Sequence, residues 1–128
     1  MESQVIVKEI CPTTTQEWVQ RGALIVDVRE SDEVKQLAFD VPELLHIPLS
    51  EFENRFREIP QDREVVLVCK SGGRSFRATG FLMHYGYDKV VNMEHGIVRW
   101  AQKGFPLKGD PQAVLGNQGD CCSNTGCC

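Results

Sequence analysis

The chain lacks any apolar run approaching the roughly 20 residues that cross a bilayer, so no membrane-spanning helix is expected. It lacks a basic excess as well: 18 acidic residues against 14 basic ones leave a net charge of −4. That balance argues against a protein that coats nucleic acid or an anionic membrane, while leaving room for a local basic pocket. The start, Met1-Glu2-Ser3-Gln4-Val5-Ile6-Val7-Lys8-Glu9, has neither the basic n-region nor the apolar length of a secretory signal. The body of the chain is poor in cysteine. Of six cysteines, Cys11 and Cys69 precede a terminal group made of Cys121, Cys122, Cys127 and Cys128. A secreted fold stapled by disulfides would spread them through the domain. The expectation is therefore a cytoplasmic protein with free thiols, in which Cys11 is structural. What is present is ordinary for a globular domain: 128 residues, 41% apolar and 25% charged, enough for one independent core and too few for two.

Residues 1–107 read as one α/β domain and residues 108–128 as a flexible, Cys-rich tail. Gly109-Asp110-Pro111 interrupts regular structure. Beyond Val114-Leu115 the tail holds little that is apolar except cysteine, too little to offset the entropy of ordering it. No internal repeat is present. In the body, Ala23-Leu24-Ile25-Val26 and Val65-Val66-Leu67-Val68 are short, largely β-branched runs that read as strands buried on both faces, and Lys89 to Met93 is a third candidate. Helical stretches alternate with them. Thr13, Thr14 and Thr15 offer caps for a helix through Glu17-Trp18-Val19. Residues 50–57 place Phe52 and Phe56 four apart on one face. Residues 74–85 carry Ala78, Phe81, Leu82 and Tyr85 at helical spacing, with Gly86 as the stop. Strands alternating with helices predict a mostly parallel sheet covered on both faces, with a site beyond the carboxyl ends of the strands, where Asp27 and Cys69 fall.

Cys69-Lys70-Ser71-Gly72-Gly73-Arg74-Ser75 carries the chemistry. A buried strand delivers the cysteine, a short loop with two glycines and two cations follows, and a helix begins. Glycine lets the backbone turn so that several N–H groups converge on one spot. The helix aims the positive end of its dipole there, and Lys70 and Arg74 add formal charge, with Arg77 just beyond. Each feature favours a thiolate and an anion held in front of it. A cysteine at a strand end is often just a small buried residue, but this context marks Cys69 as a nucleophile.

These residues resemble a single-domain rhodanese, a rhodanese-like sulfurtransferase. The similarity runs through Ile25-Val26-Asp27-Val28-Arg29-Glu30 with Asp32-Glu33, through Ile47-Pro48-Leu49-Ser50, through Val65 to Ser75, and through Gly86 to Trp100. The resemblance implies a rhodanese-like α/β domain and a two-step reaction. The Cys69 thiolate takes sulfane sulfur from thiosulfate or a persulfide donor, and a thiophilic acceptor, cyanide or a thiol, a protein thiol included, removes it. It implies that Lys70, Ser71, Gly72, Gly73, Arg74 and Ser75 cradle the persulfide and the departing anion, with Arg74 orienting the donor. Asp27 and Arg29 stand as supporting neighbours, a buried ion pair or a loop support. No organic cofactor, nucleic acid or membrane is implied. The family commonly carries Gly-His-Ile-Pro-Gly-Ala ahead of the Ile-Pro-Leu segment. Here residues 37–46 lack that glycine and histidine and are longer, which leaves substrate choice open. His46, His84 and His95 read as structural residues, and Trp18 and Trp100 as core aromatics. The related phosphatase and arsenate reductase loops hold one more residue between cysteine and arginine, so the tighter loop here suits a sulfur atom better than a tetrahedral oxyanion.

The cysteine tail is foreign to that pattern. Cys121, Cys122, Cys127 and Cys128 could relay sulfur from Cys69, bind a soft metal or metalloid, or form a redox-sensitive tail with no defined task. A non-catalytic rhodanese-like binding module is the alternative to the enzyme, and a soft-metal or metalloid-binding protein built on the tail is another.

Overall fold

The computed structural model describes residues 6–112. Five strands form one sheet: β1 (Glu9–Ile10), β2 (Leu24–Asp27), β4 (Leu44–His46), β5 (Val65–Val68) and β6 (Val90–Met93). Their order is β1-β6-β5-β2-β4, and every pairing is parallel. β2, β5 and β6 are the three inner strands, and all four residues of each are buried. This is why they read as unbroken apolar runs rather than as alternating ones.

Side chains still alternate between the two faces. Leu24, Val26, Val65 and Leu67 point into one core with Phe52, Phe56, Ala78 and Leu82. Ile25, Val66, Val68 and Val91 point into the other, with Val19, Ile97 and Trp100. Helices α3 (Phe52–Arg55) and α4 (Gly73–His84) thus cover the first face, and α1 (Pro12–Gln20) and α5 (Gly96–Gln102) the second. Among the described residues no helix is long and apolar enough to cross a membrane.

Three local details differ from the sequence expectation. Helix α1 begins at Pro12, with Cys11 as its N-cap and no side-chain cap bond. Proline's fixed φ and missing N–H suit a first helical turn, and the three threonines lie inside the helix rather than ahead of it. The stretch 49–58 is a 3-10 turn, the one-turn helix α3 and a second 3-10 turn, although Phe52 and Phe56 are both buried as the spacing implies. Helix α2 (Ser31–Gln36) runs into β3 (Leu37–Phe39), which pairs antiparallel with β7 (Leu107–Gly109). That pairing puts Lys108 and Gly109, assigned to the tail by composition, into a two-stranded sheet.

Tyr87, after α4, reaches across to the segment beyond α3. Its Oη lies 2.7 Å from the Ile59 carbonyl and 3.2 Å from that of Phe56. One hydroxyl proton serves the nearer of the two. Burial pushes the phenol above its ordinary pKa. Tyr87→Phe is expected to lower unfolding free energy by about 1–2 kcal/mol at neutral pH, read from urea midpoints. The unfolded phenol ionises near pH 10 while the folded one resists. The tyrosine's advantage therefore shrinks as pH rises past about 10, and the two midpoints should converge there.

Candidate active site

Cys69 follows β5 directly and is 1% exposed. Its Sγ receives the Gly72 N–H at 3.1 Å and the Ser75 N–H at 3.4 Å. The second donor belongs to the first turn of α4, so the amino end of a twelve-residue helix faces the sulfur. Hydrogen bonds and the helix dipole both stabilise negative charge there. The two loop glycines are not equivalent. Gly72 has φ +103, and a Cβ on it would stand 3.1 Å from the His95 nitrogen. Gly73 needs no positive φ and has open space around it. Ser71 and Lys70 lie exposed on the rim, as does Arg77.

For amides to point inward, the loop's carbonyls must find donors elsewhere. They find them on α5. The Ile97 N–H bonds the Cys69 carbonyl at 2.9 Å and the Val98 N–H bonds the Lys70 carbonyl at 3.2 Å. Gly96 allows this approach: it has φ +61, and a Cβ there would fall 2.2 Å from the Lys70 oxygen. His95, just before it, has φ 69, the one positive φ outside glycine among the described residues.

Behind the sulfur lies a buried polar chain. The Ser75 hydroxyl is 3.3 Å from Cys69 Sγ and makes a short hydrogen bond to Asn92 Oδ1. Asn92 Nδ2 donates to Glu9 Oε2 at 2.8 Å and to the Gly72 carbonyl at 3.3 Å. The Glu9 carboxylate and the carbonyl can only accept, so the Asn92 amide oxygen must face Ser75. The single Ser75 proton is then directed to Asn92, which fixes the serine hydroxyl beside the sulfur.

Arg74 does not stand free. Its Nη1 and Nη2 donate to the two carboxylate oxygens of Glu33 at 3.0 and 2.9 Å. That bidentate pair raises the Arg74 pKa, with further contributions from Cys69 and Glu30. Asp27 and Arg29 form a buried pair, 0% and 1% exposed. Asp27 Oδ2 receives Arg29 Nη2 at 2.8 Å, and Asp27 Oδ1 also receives the Arg29 backbone N–H. The guanidinium goes on to the Leu37 carbonyl at 2.8 Å. The pair therefore ties the end of β2 to the start of β3. His46 Nε2 is 2.7 Å from the Arg29 carbonyl, a structural contact. Trp100 is fully buried, and Trp18 packs half-buried at the edge of the same core.

Glu33 appeared in the sequence only within a family segment, and Asn92, Glu9 and Gly96 carried no assigned role. Cys69 is a free thiol, as expected. Cys121, Cys122, Cys127 and Cys128 lie outside the described residues, and so does the reading of their segment as flexible. Among the described residues no cluster of three or more His, Cys, Asp or Glu is placed to hold a metal ion.

Known proteins resemble this chain in sequence and in fold. A sulfurtransferase of Allochromatium vinosum is 42% identical over 84 residues, covering 66% of this chain and 77% of its own. The polysulfide-sulfur transferase homodimer of Wolinella succinogenes superposes with a TM-score of 0.73 at 25% identity, over 81% of this chain and 80% of that one. The reduced CoADR-RHD of Bacillus anthracis superposes with a TM-score of 0.64 at 32% identity, over 71% of this chain but only 16% of that much longer one. The profile of the rhodanese-like domain matches residues 12–103, a span that holds the cysteine loop and both helices that shape it, and the chain belongs to that family.

Proposed function

We propose that this protein is a sulfurtransferase that carries sulfane sulfur on Cys69. The observation that carries the reading is a buried sulfur receiving N–H bonds from Gly72 and Ser75 at the amino end of α4. The similarity to a sulfurtransferase and to a polysulfide-sulfur transferase supports it. With thiosulfate, the Cys69 thiolate attacks the outer sulfur. A bond from Sγ to that sulfur forms, the sulfur–sulfur bond of thiosulfate breaks, and sulfite departs with the electron pair. Cyanide or a thiolate then attacks the terminal sulfur, and the Cys69 thiolate returns as leaving group. With an alkyl persulfide the departing group is a thiolate instead. No electrons are gained or lost overall, so no redox cofactor enters.

The loop suits both steps because the amides that stabilise the thiolate also stabilise a terminal persulfide sulfur. Mass spectrometry of the full chain after brief exposure to thiosulfate, with peptide mapping, tests the reading. A gain of about 32 Da on the Cys69 peptide, removed by cyanide, is expected for a covalent sulfur carrier. An adduct confined to the terminal cysteines, or none with thiosulfate and none with an alkyl persulfide, would overturn it.

A further inference from the structure

We propose that Glu33 is a specificity-determining residue that disfavours doubly charged donors and so directs the site toward singly charged persulfides. The inference rests on Cys69 being the sulfur carrier.

The argument begins with the partners of Arg74. This is the loop cation suited to an anionic donor, yet both of its terminal nitrogens are engaged by one carboxylate, at 2.9 and 3.0 Å. The bidentate geometry matches fork to fork, which is the strongest form of such a pair. The side chains are 30% and 33% exposed, so the pair lies open to solvent on the loop that holds Cys69. Glu33 comes from α2, not from the loop, and the pairing therefore spans two helices that both begin just beyond the carboxyl ends of strands. The net charge of the pair is zero. An incoming thiosulfate dianion meets a neutralised guanidinium and a carboxylate that repels it. It must displace Glu33 or forgo Arg74. An alkyl persulfide carries at most one negative charge and loses less on both counts.

Neighbouring charges do not substitute for Arg74. Arg29 is buried against Asp27, while Lys70 and Arg77 lie on the exposed rim, where solvent and salt screen them. On the acidic side, Glu30 accepts the Ser50 hydroxyl at 2.9 Å. Glu33 is thus the carboxylate whose removal frees the loop cation.

The test compares kcat/KM for thiosulfate and for hydroxyethyl persulfide, with cyanide as acceptor, in the full-length wild type, Glu33→Gln and Glu33→Asp. Glu33→Gln is expected to raise the thiosulfate-to-persulfide ratio about tenfold at low ionic strength, and the gain should fade as salt is added. Glu33→Asp keeps the charge and should stay near the wild-type ratio. A structural role for Glu33 would change both donors alike and would leave the salt dependence unmoved. A ratio that is unchanged or lower in Glu33→Gln, or a Glu33→Asp that behaves like Glu33→Gln, overturns the proposal. Mapping of the Cys69 persulfide in the same samples separates the two claims. Persulfide present with an unmoved ratio sinks the role of Glu33 alone, whereas no persulfide from either donor sinks the sulfur-carrier reading with it.

Discussion

Cys69→Ser is expected to reduce sulfur transfer from thiosulfate to cyanide on the order of 10³-fold or more, measured as the initial rate of thiocyanate formation. Serine keeps an acceptor for the Gly72 and Ser75 amides, which bond Sγ at 3.1 and 3.4 Å. The loop should therefore hold its shape, and the thermal midpoint should change little. What is lost is the nucleophile that the proposed transfer requires. A hydroxyl needs a base to attack sulfur near neutral pH, and the candidates are committed elsewhere. His46 is bonded to the Arg29 carbonyl, and Asp27 lies in its buried pair with Arg29. Ser75, the nearest hydroxyl, directs its proton to Asn92. Alanine would be a poorer test, because it leaves two buried donors without a partner and confounds chemistry with loop collapse. A Cys69→Ser protein that retains wild-type transfer would move the carrier role to another cysteine.

The parts of this fold that could be read from sequence are those whose signal is local. Val65-Val66-Leu67-Val68 can be buried on both faces only in a central strand, and Cys69 to Ser75 contains its own turn, donors and helix start. Gly86, at φ +94, stops α4 where its spacing suggested. The parts that could not be read depend on a partner brought from another element. Nothing around Arg74 says that its guanidinium will be taken by Glu33, because that choice is made by the approach of α2. Nothing around Asn92 says that its amide will bridge Glu9 and Ser75, since β6 lies between β1 and β5 only after the sheet has formed. The strand Leu107–Gly109 pairs with β3 through a signal too short to see in isolation. Gly72 and Gly73 look alike in the sequence, yet the structure needs a positive φ at the first and not at the second.

That asymmetry leads to the second large effect, which falls outside the loop altogether. Gly96→Ala would place a Cβ 2.2 Å from the Lys70 carbonyl oxygen, 2.3 Å from its carbon and 2.6 Å from the Cys69 oxygen. These are backbone atoms, already held by the Ile97 and Val98 amides, and they cannot rotate away as the end of a flexible side chain can. The φ of +61 adds strain of its own for any residue with a Cβ. Overpacking and strain together should cost roughly 3–5 kcal/mol, seen as a large drop in the denaturation midpoint. Whatever folded fraction remains should transfer sulfur poorly, because relief of the clash moves the carbonyls whose placement turns the Gly72 and Ser75 amides inward. Gly73→Ala is the contrast. It sits in the cysteine loop, meets nothing within 4 Å and needs no positive φ, so its stability should hold or rise by about 0.4–1 kcal/mol. If Gly96→Ala matched wild type in midpoint and in transfer rate, the clasp of α5 on the loop would have no part in shaping the site. If Gly73→Ala proved the more damaging of the two, the loop's shape would be set from within rather than by the helix packed against it.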